Sequence, residues 1–465
     1  MTKGIGKRTG SAAARHIRAV EHSKALVGED GHAGVRNFRN SAAGPRDPLT
    51  PAQVRVLALA SLGGALEYYD FVIYVFFAVV IGKLFFPPEL PDWLRQTQTY
   101  GIFAAGYLAR PLGGIVMAHF GDMRGRKRVF TLSVLLMAIP TLLIGFLPTY
   151  ASVGAAAPLL LLAMRVMQGM AIGGQVPGGW VFVAEHAARG RVGSAIGLLT
   201  SGLTGGILLG SLVATGINLV FTQAQISGGL WRLPFLMGGL FGFIAMMLRG
   251  WLQETPVFEA MRKRAALSGE LPLRVVLRSH GRATWASMAS TWMLTAAIVV
   301  VILMTPALLQ QLFALPAGAT QLANLAGAAA LVLSTVLVGA ATDRFGIRAV
   351  ASVALPLLVI GTYALYIGAE RGQSALVPLY ILAGLGAGAV ALTPIVMIRA
   401  FPAAVRFSGI SFAYNIAYAV FGGMTPLFVA WLAHLNPINP AHYLTVVTLI
   451  GFLGTLLAPT AESLD

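Results

Sequence analysis

Long apolar segments alternate with short polar ones from Val54 to Pro459. A helix crosses the hydrocarbon core of a bilayer with about 20 mostly apolar residues, and these segments have that length. Strands of a membrane barrel would instead be ~10-residue segments of alternating polarity. The pattern predicts an all-α membrane protein with twelve transmembrane helices near residues 54–80, 97–118, 129–147, 157–184, 192–219, 231–252, 283–308, 321–341, 349–368, 375–398, 408–432 and 442–458.

The longest polar interruption divides these helices six and six. We therefore predict an N-terminal six-helix bundle at 51–252, a cytoplasmic linker at 253–282 and a C-terminal six-helix bundle at 283–465. Residues 1–50 lack the apolar core of a signal peptide and hold nine Lys and Arg against four Asp and Glu. This composition is typical of a disordered, basic cytoplasmic tail.

Charge supports a membrane protein and orients it. Only 11% of the 465 residues are charged, against roughly 25% in soluble domains. Loops on one side of the predicted helices carry seventeen Lys and Arg, and loops on the other side carry three. Cytoplasmic loops are enriched in basic residues, which places both termini in the cytoplasm. The net charge of +16 then reflects topology, and nucleic acid is excluded as a partner.

Catalytic and cofactor motifs are missing from the sequence. The chain has no cysteine, which excludes disulfides and thiol chemistry. It also lacks a P-loop, a His-Glu-x-x-His motif and a nucleophile elbow. We predict no cofactor, no metal and no enzymatic activity. A membrane enzyme would need a convergent catalytic set that the sequence does not contain.

The two halves share a loop motif. Gly121-Asp-Met-Arg-Gly-Arg-Lys-Arg128 follows the second predicted helix, and Thr342-Asp-Arg-Phe-Gly-Ile-Arg348 follows the eighth. Asp122 and Asp343 occupy equivalent places in these loops, and each is followed three residues later by glycine. Duplicated halves are common in secondary transporters, whose substrate sites lie near the midplane between the repeats.

The first of these loops resembles the signature of the major facilitator superfamily. Further stretches resemble its metabolite:proton symporter branch: Gly64-Ala-Leu-Glu-Tyr-Tyr-Asp-Phe71, Arg110-Pro-Leu-Gly-Gly114, Glu254-Thr-Pro256, Arg406-Phe-Ser-Gly409 and Phe421-Gly-Gly-Met-Thr-Pro426. The resemblance implies two pseudo-symmetric six-helix bundles in a bacterial inner membrane. It also implies a monomer that imports a small organic acid or zwitterion, such as proline, betaine, α-ketoglutarate, citrate or shikimate, by proton symport with alternating access.

Two positions depart from the pattern of that branch. Met123 replaces the usual basic residue after Asp122, and Gln175 stands where the branch usually has glutamate. These departures leave two alternatives open. One is a proton-independent facilitator, and the other is a sensor that kept the transporter fold but lost transport.

Ionisable residues inside spanning helices each cost at least ~2.5–3.5 kcal/mol unless they face a cavity or a partner. The candidates are Glu67, Asp70, Arg110 and Arg165. Asp70 and Arg165 lie at similar depths, about 15 Å and 12 Å from the outer helix ends, which allows an ion pair. A nearby cation favours an ionised carboxylate and burial favours a neutral one. Proton coupling is therefore predicted at Asp70, Glu67 and Arg165, although a permanent structural Asp70–Arg165 bridge stays possible.

The predicted substrate-binding residues are Arg110, Arg165, Tyr74, Gln175, Asn415 and Tyr418. Tyr74 shares a helix face with Glu67 and Asp70, and Asn415 and Tyr418 share a face of the eleventh helix. The guanidinium group of arginine is a fixed fork that suits a carboxylate, which predicts a carboxylate-bearing substrate. The alternatives are that Arg110 caps a gate and that Asn415 and Tyr418 make an interhelical hydrogen bond.

The shared loops predict a conformational latch made of Asp122, Gly125, Arg126, Asp343 and Gly346. These residues lie at the membrane edge. There an aspartate can bind a helix N-terminus, an arginine can bind a helix end, and glycine permits a tight turn.

Overall fold

The computed structural model describes residues 50–188, 190–251, 254–255, 259 and 272–460. Within these ranges the chain forms helices and connecting turns, with no strand. Twelve helices are long and apolar enough to span a membrane. We number them α1 to α12: Pro51–Phe76, Asp92–Arg124, Arg126–Phe146, Ala156–His186, Val192–Val220, Leu233–Gly250, Gly281–Phe313, Ala317–Phe345, Ile347–Glu370, Leu376–Ala400, Ala403–Leu435 and Asn439–Leu457.

Short helices connect several of these spans. They are Ala78–Phe85, Tyr150–Val153, Gln223–Gly228, Leu230–Arg232, Pro272–Ser279 and Gln373–Ala375. Several parts of the predicted segments lie outside the described part of the chain: residues 1–49 of the tail, residues 253, 256–258 and 260–271 of the linker, and the last five residues. The proposed domain boundaries stay a prediction.

The same helix pairs pack in each half. α1 packs against α5 and α6, and α2 and α3 pack against α4. The equivalent contacts join α7 to α11 and α12, and join α8 and α9 to α10. The two six-helix bundles are therefore pseudo-symmetric, as the repeated motif predicts. They meet where α2 contacts α11 and where α5 contacts α8, which are themselves equivalent pairs.

In two places a single glycine is the whole connection between consecutive helices. Gly125 between α2 and α3 has φ of 112°, and Gly346 between α8 and α9 has φ of 82°. Residues with a Cβ avoid these values, so each loop can be one residue long only because that residue is glycine.

On the outer surface of the bundle, α2 exposes Leu108 and Leu112 by 65% and 64%. Such apolar residues face lipid in a membrane protein.

α7 and α11 each contain a wider π-helical turn, at Ala297–Met304 and Tyr418–Gly422. Such turns occur often at functional sites because they change the direction of a side chain within a helix. The turn in α11 begins at Tyr418, one of the predicted substrate-binding residues.

Candidate functional site

Arg110 of α2 lies at the interface between the two bundles and is fully buried. Its Nε donates a hydrogen bond to Oδ1 of Asn415 on α11, over 3.4 Å. The guanidinium carbon lies 4.0 Å from the ring centre of Tyr418, 5.1 Å from that of Tyr414 and 5.6 Å from that of Tyr107. Its Nη1 and Nη2 atoms have no hydrogen-bond partner among the described residues. The site therefore presents a buried cation with free donors, surrounded by tyrosine rings.

Backbone packing holds Arg110 in place. A Cβ on Gly113 or Gly173 would collide with the backbone of Met170 or Arg110, respectively, so glycine allows α2 and α4 to touch. The Nδ2 atom of Asn415 donates to the carbonyl oxygen of Gly173 over 2.6 Å. Asn415 thus connects α11 to both α2 and α4, and it makes the interhelical hydrogen bond that was the alternative to a substrate contact.

A small cavity of about 30 Å³ lies beside these rings. At about 10–15 Å³ per water molecule, it holds about two waters. Ligand sites commonly enclose about 300–1,000 Å³. A cavity of this size is too small to hold an organic solute. The cavity is lined from both bundles by Tyr68, Val176, Trp180, Thr200, Leu203, Thr204, Ile207, Leu294, Ile298, Val390, Tyr414 and Tyr418.

Arg165 of α4 is a second fully buried cation, inside the N-terminal bundle. Its guanidinium carbon lies 4.6 Å from the ring centre of Phe71, 4.5 Å from that of Tyr74 and 5.0 Å from that of Phe103. Nη1 donates to the carbonyl oxygen of Phe71 over 3.3 Å and to Oε1 of Gln168 over 2.7 Å. The structure therefore brings the predicted residues Tyr74 and Arg165 together, with the charge facing aromatic rings.

The predicted ion pair between Asp70 and Arg165 is wrong for this conformation. Both carboxylate oxygens of Asp70 are buried and have no hydrogen-bond partner in the described part of the chain. They face α6, where a Cβ at Gly238 would lie 2.6 Å from Oδ1 and one at Gly242 would lie 3.3 Å from Oδ2. The Asp70 carboxylate therefore faces α6, whereas the Arg165 guanidinium contacts Phe71 and Tyr74 on another side of α1.

Glu67, one turn from Asp70, forms a buried ion pair with Arg249 at the end of α6. Arg249 is 1% exposed and was not predicted as a site residue, because it was counted among the seventeen basic loop residues although the predicted helix runs to residue 252. The only available signal was its place within the last turn of an apolar helix. The pair joins α1 to α6 and satisfies a charge that would otherwise be buried alone.

Asp122 and Asp343 each cross from one bundle to the other. Oδ2 of Asp122, on α2, accepts a hydrogen bond from the backbone N–H of Ser408 in α11 over 2.9 Å. Asp343, on α8, accepts from the N–H groups of Gly193 and Ser194 in α5, both over 2.7 Å, and from the Ser194 hydroxyl over 2.6 Å. Carboxylates are favourable at helix N-termini, where the backbone N–H groups are unpaired. We call this end of the bundle the Asp122 end.

An ion pair adds to the contacts at the Asp122 end. Nη1 of Arg406 on α11 lies 3.1 Å from Oε1 of Glu185 on α4.

Two predicted residues remain to be located. Gln175 is buried, and its Oε1 atom has no hydrogen-bond partner among the described residues. Gln175 is not among the residues that line the cavity. The side chain of Arg126 lies outside the described part of the structure.

The sequence model of the Major Facilitator Superfamily matches residues 60–426. The chain belongs to the major facilitator superfamily. It is 30% identical over 404 residues to the putative proline/betaine transporter of Staphylococcus aureus (strain COL), covering 86% of each chain. It is also 30% identical over 424 residues to the proline/betaine transporter of Escherichia coli (strain K12), covering 88% of this chain and 84% of that one. These relatives confirm the resemblance to the metabolite:proton symporter branch.

Solved structures agree on the superfamily fold. The proton:xylose symporter XylE, bound to 6-bromo-6-deoxy-D-glucose, aligns with a TM-score of 0.72 at 17% identity, over 88% of this chain and 97% of that one. The human organic anion transporter MFSD10 aligns with a TM-score of 0.62 at 16% identity, over 88% and 100%. Membership of this family makes the protein a multi-pass inner-membrane transporter of a small molecule rather than an enzyme.

Proposed function

We infer that the protein is a proton symporter that imports a small carboxylate, with a zwitterion of the proline or betaine type as the preferred class. The observation that carries this proposal is the buried guanidinium group of Arg110 at the junction of the two bundles. Its two Nη atoms, which have no hydrogen-bond partner of standard geometry among the described residues, form a planar fork that matches a carboxylate. A neutral sugar would leave this charge unpaired.

The tyrosines favour a zwitterion over a simple anion. Tyr107, Tyr414 and Tyr418 already present their ring faces to a cation, the Arg110 side chain. A secondary or quaternary ammonium group binds the same faces. A solute with a carboxylate for Arg110 and an ammonium group for the rings would use both features, and the relatives are named for proline and betaine.

Uptake into proteoliposomes tests this proposal. With the interior alkaline, labelled proline or glycine betaine should accumulate, and an uncoupler should abolish the accumulation. Arg110→Lys should reduce uptake at least tenfold because an ammonium group cannot make the two-pronged contact. Arg344→Lys, an exposed position at the Asp122 end, is the matched control. Accumulation of α-ketoglutarate alone would overturn the zwitterion, and gradient-independent equilibration would indicate a facilitator. Binding without uptake would indicate a sensor.

We assign the coupling proton to Asp70. Burying an ionised carboxylate without a partner in an apolar environment costs far more free energy than burying its protonated form. Separation of α1 from α6, or approach of a cation, would favour release of the proton. Glu67 is already paired with Arg249, so in this scheme it fixes α1 against α6. Arg165 polarises the same region from the other side of α1.

The Asp122 and Asp343 contacts are the latch of the alternating-access cycle in this proposal. Their carboxylates hold the bundles together at the Asp122 end, which the distribution of basic loop residues places in the cytoplasm with both termini. Gly125 and Gly346 supply the tight turns that let each aspartate reach the opposite bundle, and the 253–282 segment is the linker between the halves. Substrate would bind at Arg110 and a proton at Asp70 from the side of the membrane opposite the Asp122 end, before the latch contacts break.

A further inference from the structure

A groove of about 780 Å³ lies on the outside of the bundle at the Asp122 end, between α2 and the short helix Pro272–Ser279. Each helix contributes one face with the same spacing, in which residues i, i+1, i+4 and i+5 lie together. The lining residues are Ile115, Val116, His119, Phe120, Leu273, Arg274, Leu277 and Arg278. The groove is therefore apolar along its walls and basic at its rim.

Within the described residues, the two arginines at the rim have no ion-pair or hydrogen-bond partner. Arg274 and Arg278 are exposed. Over residues 50–251 and 272–460, the structure gives neither of them a carboxylate or a hydrogen bond. Two exposed arginines one turn apart create a local positive potential at the predicted cytoplasmic membrane surface. That leaflet carries the anionic lipids, and each nearby Lys or Arg contributes about 1 kcal/mol to attraction.

An apolar track leads away from the groove along α2. Leu108, Leu112, Val116 and Phe120 follow one another at i, i+4 spacing and are 65%, 64%, 50% and 39% exposed. Twelve residues of helix span about 18 Å, which is close to the half-thickness of a ~30 Å hydrocarbon core. An acyl chain on this track would have its headgroup between His119 and the two arginines.

We propose that this groove is a binding site for an anionic phospholipid, with the headgroup held by Arg274, Arg278 and His119 and one acyl chain along α2. The site touches the latch region. The helix Pro272–Ser279 packs against both α2 and the start of α11, the two spans that the Asp122–Ser408 bond joins. A bound lipid bridges α2 and this helix and so stabilises the arrangement that is closed at the Asp122 end.

The test is a titration of the purified, full-length protein with phosphatidylglycerol, and with phosphatidylcholine of the same acyl chains, followed by native mass spectrometry. Phosphatidylglycerol should bind selectively and raise the unfolding midpoint. The double variant Arg274→Gln/Arg278→Gln should weaken this selective binding roughly 30-fold, since two contributions of about 1 kcal/mol correspond to that ratio. Arg128→Gln/Arg344→Gln removes the same charge from exposed positions outside the groove and should bind as the wild type does.

A second variant separates the groove from charge alone. Val116→Trp keeps both arginines but fills the space between the helices, and it should weaken phosphatidylglycerol binding while leaving inorganic phosphate without effect. If both double variants lose the same amount of phosphatidylglycerol binding, general surface charge explains the binding and the proposed site is wrong. Unchanged binding in both Arg274→Gln/Arg278→Gln and Val116→Trp would do the same. A midpoint raised by inorganic phosphate alone would contradict a lipid ligand.

Discussion

Glu67 and Asp70 are two buried acids one turn apart on the same helix, and their surroundings differ completely. Glu67 pairs with Arg249 across the α1–α6 contact. Asp70 faces the glycine surface of α6 and has no hydrogen-bond partner among the described residues. The ion pair of Glu67 joins α1 to α6 and fixes the packing of these two helices. An unpaired carboxylate can gain or lose a proton as its neighbours move. In the proposed mechanism, the partner of each acid and the direction in which its side chain points, rather than its depth, separate the structural acid Glu67 from the coupling acid Asp70.

Removing the partner of Glu67 should produce the largest loss of stability. Arg249→Gln leaves the Glu67 charge buried without compensation, which costs about 3–5 kcal/mol, and the unfolding midpoint in detergent should fall sharply. The double variant Glu67→Gln/Arg249→Gln removes both charges and should recover most of this loss. If the double variant is as unstable as Arg249→Gln alone, the ion pair is not the reason for the loss.

Crowding the Asp70 side chain should lower the free energy of unfolding by an intermediate amount. In Gly238→Ala the new Cβ would lie 2.6 Å from Oδ1 of Asp70 and 2.8 Å from Cγ2 of Thr141, and overpacking of this kind costs about 1–3 kcal/mol. The matched control is Gly216→Ala in α5, where a Cβ meets open space. Chemical denaturation of both variants measures the difference, and equal stability would show that α6 does not press against Asp70.

Neutralising Asp70 should change stability least and function most. Asp70→Asn is close in shape to the protonated acid, so the free energy of unfolding should change by no more than about 1.5 kcal/mol. The variant should lose uncoupler-sensitive accumulation but keep counterflow of labelled solute, because exchange needs only the loaded carrier. Retention of full accumulation would remove Asp70 from the coupling mechanism. Loss of counterflow as well would indicate a structural role.

The fold was largely predictable from sequence because its determinants are local. Apolar length gave the twelve spans. The repeated Asp-x-x-Gly motif marked the two turns, but the loops predicted at 119–128 and 342–348 are the single glycines Gly125 and Gly346, because the helices continue through the polar residues. A glycine three residues after an aspartate is visible in the sequence, and its positive φ follows from the turn. The end of α1 could not be predicted from the apolar pattern. The predicted helix runs to residue 80, whereas the observed helix ends at Phe76 and a separate helix begins at Ala78.

The site was harder to predict because it depends on the direction in which each side chain points. Sequence gives the depth of Asp70 and Arg165 but not which neighbour each faces, which explains the wrong ion pair. Arg249 was overlooked because a cation in the last turn of a spanning helix looks like a loop residue. Arg110, Asn415 and Tyr418 do meet, whereas the contribution of Tyr107 could not be recognised because aromatic residues are common in membrane helices.

In the proposed latch, the crossed arrangement of Asp122 and Asp343 has a consequence for the equilibrium between the closed and open forms. Each carboxylate belongs to one half and binds a helix start of the other, so separating the halves at this end breaks both contacts in the same step. Their free energies then add, and the populations they set multiply. Weakening either contact by about 1.4 kcal/mol raises the open fraction tenfold while that fraction is small. The two loops thus act as independent settings of one equilibrium, and a change in one can be compensated by the other at a distance of 221 residues in the chain.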